Sequence, residues 1–215
     1  MTDEIEMMND GSGMTWSETW IKALTQPTEQ TYEEIANDPG ASTNKAYLWI
    51  AVTATISAFI SISLGLLFGT YGEESGGLIF LLCAVVLVPM FSIIGTMISA
   101  GVTQMVAGML GGTGSFSKLV YPYAAFYAPI TLITAGLSII PILGLLAFPI
   151  GFYGLFLNVL AVKAVNQFSW GKAAISTLAL LIIVGLVTAC IAFFGLVLIA
   201  PVISEVFTDV MSEIQ

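Results

Sequence analysis

Along this 215-residue chain, polar positions fill the first 45 residues and then retreat into short gaps between apolar runs at 46–69, 77–110, 119–139, 143–165 and 173–203. A hydrocarbon core about 30 Å thick is crossed by about 20 helical residues. Each run therefore predicts a transmembrane helix. The gap from Ser138 to Gly144 is too short for anything but an antiparallel hairpin of the third and fourth spans. The second run would reach about 50 Å as one upright helix, so Pro89 is expected to kink or break it, with the excess projecting into the cytoplasm. The fifth run is also long and is expected to end near Pro201. The predicted fold class is all-α: a polytopic membrane protein, a bundle of five transmembrane helices with short amphipathic helices before it.

Within the polar lead, Met1 to Gly13 is acidic and reads as a disordered tail. It lacks the basic start and short apolar core of a signal peptide, so the N-terminus is expected to be retained. Thr15 and Glu18 fit a capping box opening a helix. Trp16, Trp20, Ile21 and Leu24 then share one side, opposite Glu18 and Lys22, and such a face suits the headgroup layer. Pro27 is placed to open a second helix, with Tyr32 and Ile35 on one face and Glu29, Glu33 and Glu34 on the other. Two readings follow: the helices present a surface to a partner, or they simply cover the cytoplasmic ends of the bundle. The resulting division is an acidic tail (1–14), an amphipathic cytoplasmic lead (15–45), a five-span domain (46–204) and an external acidic tail (205–215).

The order of motifs adds a resemblance. It rests on Trp16-x3-Trp20-x3-Leu24 leading to Pro27-Thr28, Tyr32 and Ile35; G-G-T-G-S-F-S-K at Gly111 to Lys118; Tyr123-Ala124 and Pro129; the Pro141 to Gly144 turn; Tyr153; and Q-F-S-W-G-K-A at Gln167 to Ala173. In that order and spacing the chain resembles the Yip1 family in its bacterial and archaeal branch, over most of its length. The resemblance implies five membrane helices, a cytoplasmic N-terminus, residence in a prokaryotic plasma membrane, and kinship with eukaryotic proteins that bind Rab-type GTPases and organise vesicle membranes. The eukaryotic D-L-Y-G-P motif is absent, with Asp38-Pro39-Gly40 as its only remnant.

Composition narrows the function classes. At 57% hydrophobic and 9% charged residues the chain is no ordinary soluble domain, where about a quarter of residues carry charge. The net charge is −9, yet nine of the fourteen acids precede Ala41, so the acidity belongs mainly to the lead. With five lysines and no arginine, nucleic acid is not an expected partner. Cys83 and Cys190 fall in apolar spans and read as small buried fillers. Lys22, Lys45, Lys118, Lys163 and Lys172 all fall on one side of a five-span chain. The positive-inside rule then places the N-terminus in the cytoplasm and the C-terminus outside.

Small residues recur every four positions at Thr53, Ser57, Ser61, Gly65 and Gly69 and at Ser92, Thr96, Ala100, Gln104, Gly108 and Gly112. Such rows let spans one and two approach closely, or line a polar path. There is no histidine, and between Asp38 and Glu205 the only carboxylates are Glu73 and Glu74. A serine or cysteine nucleophile thus lacks an imidazole base, and metal-ligand spacing is missing, so no enzyme, cofactor or metal site is expected. The loop ending at Lys118 is not a phosphate loop, because its lysine does not follow a glycine. Two functions remain. One is a non-enzymatic organiser or adaptor that binds an unknown cytoplasmic or membrane protein through Trp16, Trp20, Phe116, Lys118, Phe168, Trp170 and Lys172. The other is a small-solute facilitator using Gln104 and Asn158, expected to hydrogen-bond across the bundle. The lipid bilayer is a partner in either case, and a homo-oligomer is left open.

Overall fold

The computed structural model describes residues 13–67 and 77–213. The acidic tail before Gly13, the stretch 68–76 with Glu73 and Glu74, and the last two residues lie outside the described residues. The described chain is helical throughout its elements: α1 Trp16–Thr25, α2 Glu29–Ala36, α3 Thr43–Leu67, α4 Gly77–Met109, α5 Phe116–Leu137, α6 Pro141–Gly144, α7 Ala147–Asn166 and α8 Trp170–Glu213. Five of these are long and apolar enough to cross a membrane, within Thr43–Gly65, Cys83–Met109, Phe116–Leu137, Ile142–Asn166 and Trp170–Gly195. The all-α polytopic expectation is met.

Local chemistry sets the helix ends. The Thr15 and Glu18 capping box opens α1, each side chain accepting the other's main-chain N–H. α2 differs from expectation: Thr28 is its cap, accepting from Thr31 N–H at 3.2 Å, and Pro27 stands one position earlier. Pro27 thereby stops α1 rather than opening α2, because a proline cannot continue a helix. Ser115 caps α5. The hairpin between α5 and α7 contains a short helical turn begun by Pro141 at its first position, where a missing N–H costs nothing. α4 runs unbroken through Pro89, and α8 continues past Pro201 to Glu213, so neither proline ends its helix.

The residues up to Thr177 form one unit. Its hub is α5, which packs against α1, α2, α3, α4, α6 and α7. α5 is also the most buried and least apolar of the spans. It places Leu119, Val120, Tyr121, Ala124, Ala125, Phe126 and Ala128 inside. Outward-facing Phe59, Phe91, Ile98 and Phe152 suit contact with hydrocarbon rather than water. The second unit, from Leu178 onward, is a single apolar helical segment in which Leu181, Ile182, Leu186, Phe193 and Phe194 are exposed. Cys83 and Cys190 are free and exposed, not buried fillers as their apolar settings suggested.

The small-residue rows are only partly interfacial. In α3 the buried line is Ala46, Ile50, Ala54, Ala58 and Ile62, whereas in the expected row Thr53 is buried, Ser57 half-buried and Ser61 exposed. Ser57 donates to the Thr131 carbonyl of α5 at 3.3 Å, not to α4. In α4 the buried positions step from Thr96 and Ala100 to Thr103 and Ala107, leaving Gly108 with open space beside it. The α3 line keeps the four-residue interval but lies one position beyond the hydroxyl row, whereas the α4 line drifts off its row, as a four-residue step advances about 40° around a 3.6-residue helix.

Candidate functional site

The lysine-bearing end of the first unit gathers its described charged side chains, and the lead is built into it. α1 and α2 pack on α5, and α2 packs on α7. Trp49 of α3 is fully buried, with Trp16 and Trp20 set edge-on at 5.8 and 5.7 Å and Tyr121 at 5.0 Å. The amphipathic tryptophan face therefore rests on an internal tryptophan. The buried positions of α1 are Thr19 and Ala23, with Trp20 and Leu24 half-buried beside them, while Ile21 turns outward and is 61% exposed.

Two tyrosines tie the end of α1 down. The last carbonyls of a helix lack intrahelical partners. Tyr32 donates to the Ala23 carbonyl at 3.0 Å, and Tyr153 of α7 donates to that of Leu24 at 2.5 Å. Burial, reinforced by Tyr153 nearby, pushes the Tyr32 hydroxyl well above the ordinary phenol range. Further along α7, the buried Lys163 forms an ion pair with Glu29 of α2 and lies over the Trp170 ring at 5.4 Å. From Tyr153 to Lys163 is about 15 Å of helix, so the turn between α1 and α2 lies lengthwise along α7. Glu29, expected to face away, is thus turned inward by a lysine that the sequence reading placed beside a loop.

Asp38 closes the lead on itself. Its carboxylate accepts from Met14 N–H at 2.7 Å and Gly40 N–H at 2.6 Å, so the Asp38-Pro39-Gly40 remnant clasps the start of the described chain. Lys45 donates to the Gly40 carbonyl at 3.3 Å and lies over the Trp49 and Tyr121 rings.

A second polar node joins the two loops at this end. Gln104 Nε2 donates at 2.9 Å to both the Gly114 carbonyl and Asn166 Oδ1, and Asn166 Nδ2 returns a bond to Gln104 Oε1 at 3.2 Å. Asn166 Oδ1 also accepts from Gly114 N–H at 3.1 Å. The glycine loop owes part of its composition to this node. A methyl group at Gly112 would meet Asn166 Oδ1 at 2.5 Å, and one at Gly114 would meet Val165 and Asn166 within 2.8 Å. Gln104 was expected to pair with Asn158. That pairing is not formed, because Asn158 sits two helical turns from Asn166 on α7, and its Oδ1 is buried without a partner.

The remaining candidates separate by exposure. Phe168 is buried, with Lys172 over its ring at 5.5 Å, and so is no exposed anchor. Lys172 donates to the Leu110 carbonyl at 2.9 Å. Trp170 stacks on Phe156 at 6.1 Å yet is 51% exposed, and Trp16 is 39% exposed. Phe116 is half-buried, and the exposed Lys118 donates to Asn37 Oδ1 at 3.2 Å. The sequence reading missed Trp49, Asn166 and the pairing of Lys163 with Glu29, and gave Asp38 no role beyond that of a motif remnant. Only Trp49 carried a signal, as a lone tryptophan near a span start, where such residues are enriched. Among the described residues no three histidine, cysteine or acidic side chains cluster as metal ligands would.

These features define a class: an integral membrane protein of five helices long and apolar enough to span, with an N-terminal helical hairpin docked on the bundle. The Yip1 domain matches residues 21–204, nearly the whole chain, and the chain belongs to that family. No curated protein and no solved structure matches it.

Proposed function

We propose that the chain is a non-enzymatic membrane organiser or adaptor that engages a protein partner through its lysine-bearing, cytoplasmic end. One observation carries this reading: that end alone, in the first unit, combines ordered loops, lysines and outward-facing aromatic and aliphatic side chains on a fixed frame. Trp16, Ile21, Lys118, Trp170 and Lys172 are exposed there, and aromatic anchors dominate many interfaces. Trp20 and Phe168 act behind them as supports. A facilitator has one observation in its favour, the unpartnered Asn158 Oδ1. Gln104 is already spent on locking two loops.

The readings separate by mutation. Ile21→Ser combined with Trp170→Ser is expected to abolish stoichiometric co-purification of a partner from native membranes while leaving insertion and thermal stability intact. Solute flux through liposomes holding the purified protein alone, lost in Asn158→Leu, would overturn the adaptor in favour of the facilitator.

A further inference from the structure

We propose that a cleft between the middle turns of α4 and α5 binds a neutral, lipid-soluble quinone. The cleft measures about 470 Å³, within the range of ligand pockets, and its walls include Phe91, Ser92, Gly95 and Thr96 of α4 and Tyr123 and Tyr127 of α5. Half of its lining residues carry a hydroxyl, so it is a polar recess rather than an apolar groove. Ser92 and Thr96 of the small-residue row stand beside Gly95, where an added methyl group would meet nothing within 4 Å.

The two phenols set the chemistry. Tyr123 and Tyr127 stack on each other with ring centres 5.7 Å apart. Among the described residues neither hydroxyl makes a hydrogen bond of normal geometry; Ser99 stands beside that of Tyr123, which leaves the Tyr127 hydroxyl as the more open donor. Both keep accessible surface, unlike the enclosed Tyr121 hydroxyl. The Thr96 hydroxyl, by contrast, is spent on the Ser92 carbonyl at 2.8 Å. From Phe116 to Tyr127 is about 16 Å of helix, and α5 runs on to Leu137, so the open phenol lies near the middle of the hydrocarbon. Without water at that depth an unpaired O–H is costly, and an acceptor brought in by a ligand relieves it.

Depth and shape select the ligand. No charged side chain lines the cleft, and a charged headgroup is expelled from this depth. Phospholipid ester carbonyls stay at the edge of the hydrocarbon, about 15 Å from its middle, and do not reach Tyr127. A quinone enters the hydrocarbon whole: it is uncharged, its ring carbonyls accept hydrogen bonds, and its isoprenoid tail is apolar. The exposed Phe91 and the tyrosine pair offer aromatic faces to its planar ring, and a ring carbonyl accepts from Tyr127.

The test uses the full chain purified in a maltoside detergent, titrated with a short-tailed menaquinone and read by melting temperature and native mass spectrometry. The quinone is expected to raise the melting temperature and to remain bound at about one molecule per chain. Tyr127→Phe is expected to weaken binding about tenfold, the loss of one hydrogen bond. Gly95→Leu, which fills the cleft, is expected to abolish it. Without ligand neither variant melts lower than the parent, since one removes an unpaired hydroxyl and the other extends into open space, and this separates lost binding from lost folding. Tyr47→Phe, the same change at the start of α3 and outside the cleft, leaves binding unchanged. Absence of binding, binding unaltered in both cleft variants, or binding weakened equally by Tyr47→Phe overturns the proposal. So does equal stabilisation by squalene, an isoprenoid hydrocarbon without a carbonyl, which would assign the cleft to apolar chains alone. The adaptor reading rests on Ile21 and Trp170 and is untouched by that failure.

Discussion

Asn166 uses both ends of its amide: Oδ1 takes a proton from Gln104 and from Gly114 N–H, while Nδ2 gives one to Gln104 and one to the Val162 carbonyl. Asn158, on the same helix, leaves a buried oxygen unpaired. Replacing Asn166 by leucine strands the Gly114 amide and the Gln104 side chain, each at about 1–3 kcal/mol. The same change at Asn158 removes an oxygen that was already unpaired and is expected to be neutral or mildly stabilising. Thermal unfolding in detergent compares them directly, and the double variant Gln104→Leu with Asn166→Leu is expected to cost less than the sum of its parts. Equal losses at 158 and 166 would contradict the assignment. Sequence reading found both polar side chains of the expected pair and matched Gln104 to the wrong partner. Residue type announces a hydrogen-bonding need, whereas which asparagine meets it depends on axial height along α7, which composition does not record.

At the scale of elements, periodicity gave the spans and failed on their faces. Apolar length alone locates a membrane helix, because lipid demands it. Which stripe of α3 meets α5 is not given by the interval, because the buried line of Ala46, Ile50, Ala54, Ala58 and Ile62 has the same four-residue spacing as the hydroxyl row and lies one position further along, about 100° around the helix. Ala54→Leu is therefore expected to destabilise the protein by about 1–3 kcal/mol through overpacking, while Ser61→Leu, on an exposed position, is expected to be tolerated. A melting temperature lowered more by Ser61→Leu than by Ala54→Leu would return the interface to the hydroxyl row. The lead shows the same limit. Its capping box and its Tyr32 and Ile35 face were legible, since both are local patterns. Its attachment along α7 was not, because Glu29 and Lys163 are 134 positions apart and nothing local marks either as paired.

At the scale of the whole molecule, the lysines are the only long-range order that the sequence carries openly. Within the first unit Lys22, Lys45, Lys118, Lys163 and Lys172 all lie at the end bearing α1 and α2, held there by Glu34, the Gly40 carbonyl, Asn37, Glu29 and the Leu110 carbonyl respectively. The opposite end, around Ser138 to Leu146, carries none. By the positive-inside rule the protein is expected to insert with the lead on the cytoplasmic side.

That orientation is tested by single cysteines in a background lacking Cys83 and Cys190. Ser138 and Ser169 are both exposed, and they sit at opposite ends of the unit: Ser138 follows α5 and Ser169 follows α7. A membrane-impermeant thiol reagent applied to intact cells is expected to label Ser138→Cys and to spare Ser169→Cys until the membrane is opened. The reversed pattern would put the lead and every lysine outside, which removes the cytoplasmic partner from the proposed function while leaving the helix packing as described. Labelling of both from one side would contradict the placement of α7 as a span, since its apolar residues would then have to be accommodated without crossing.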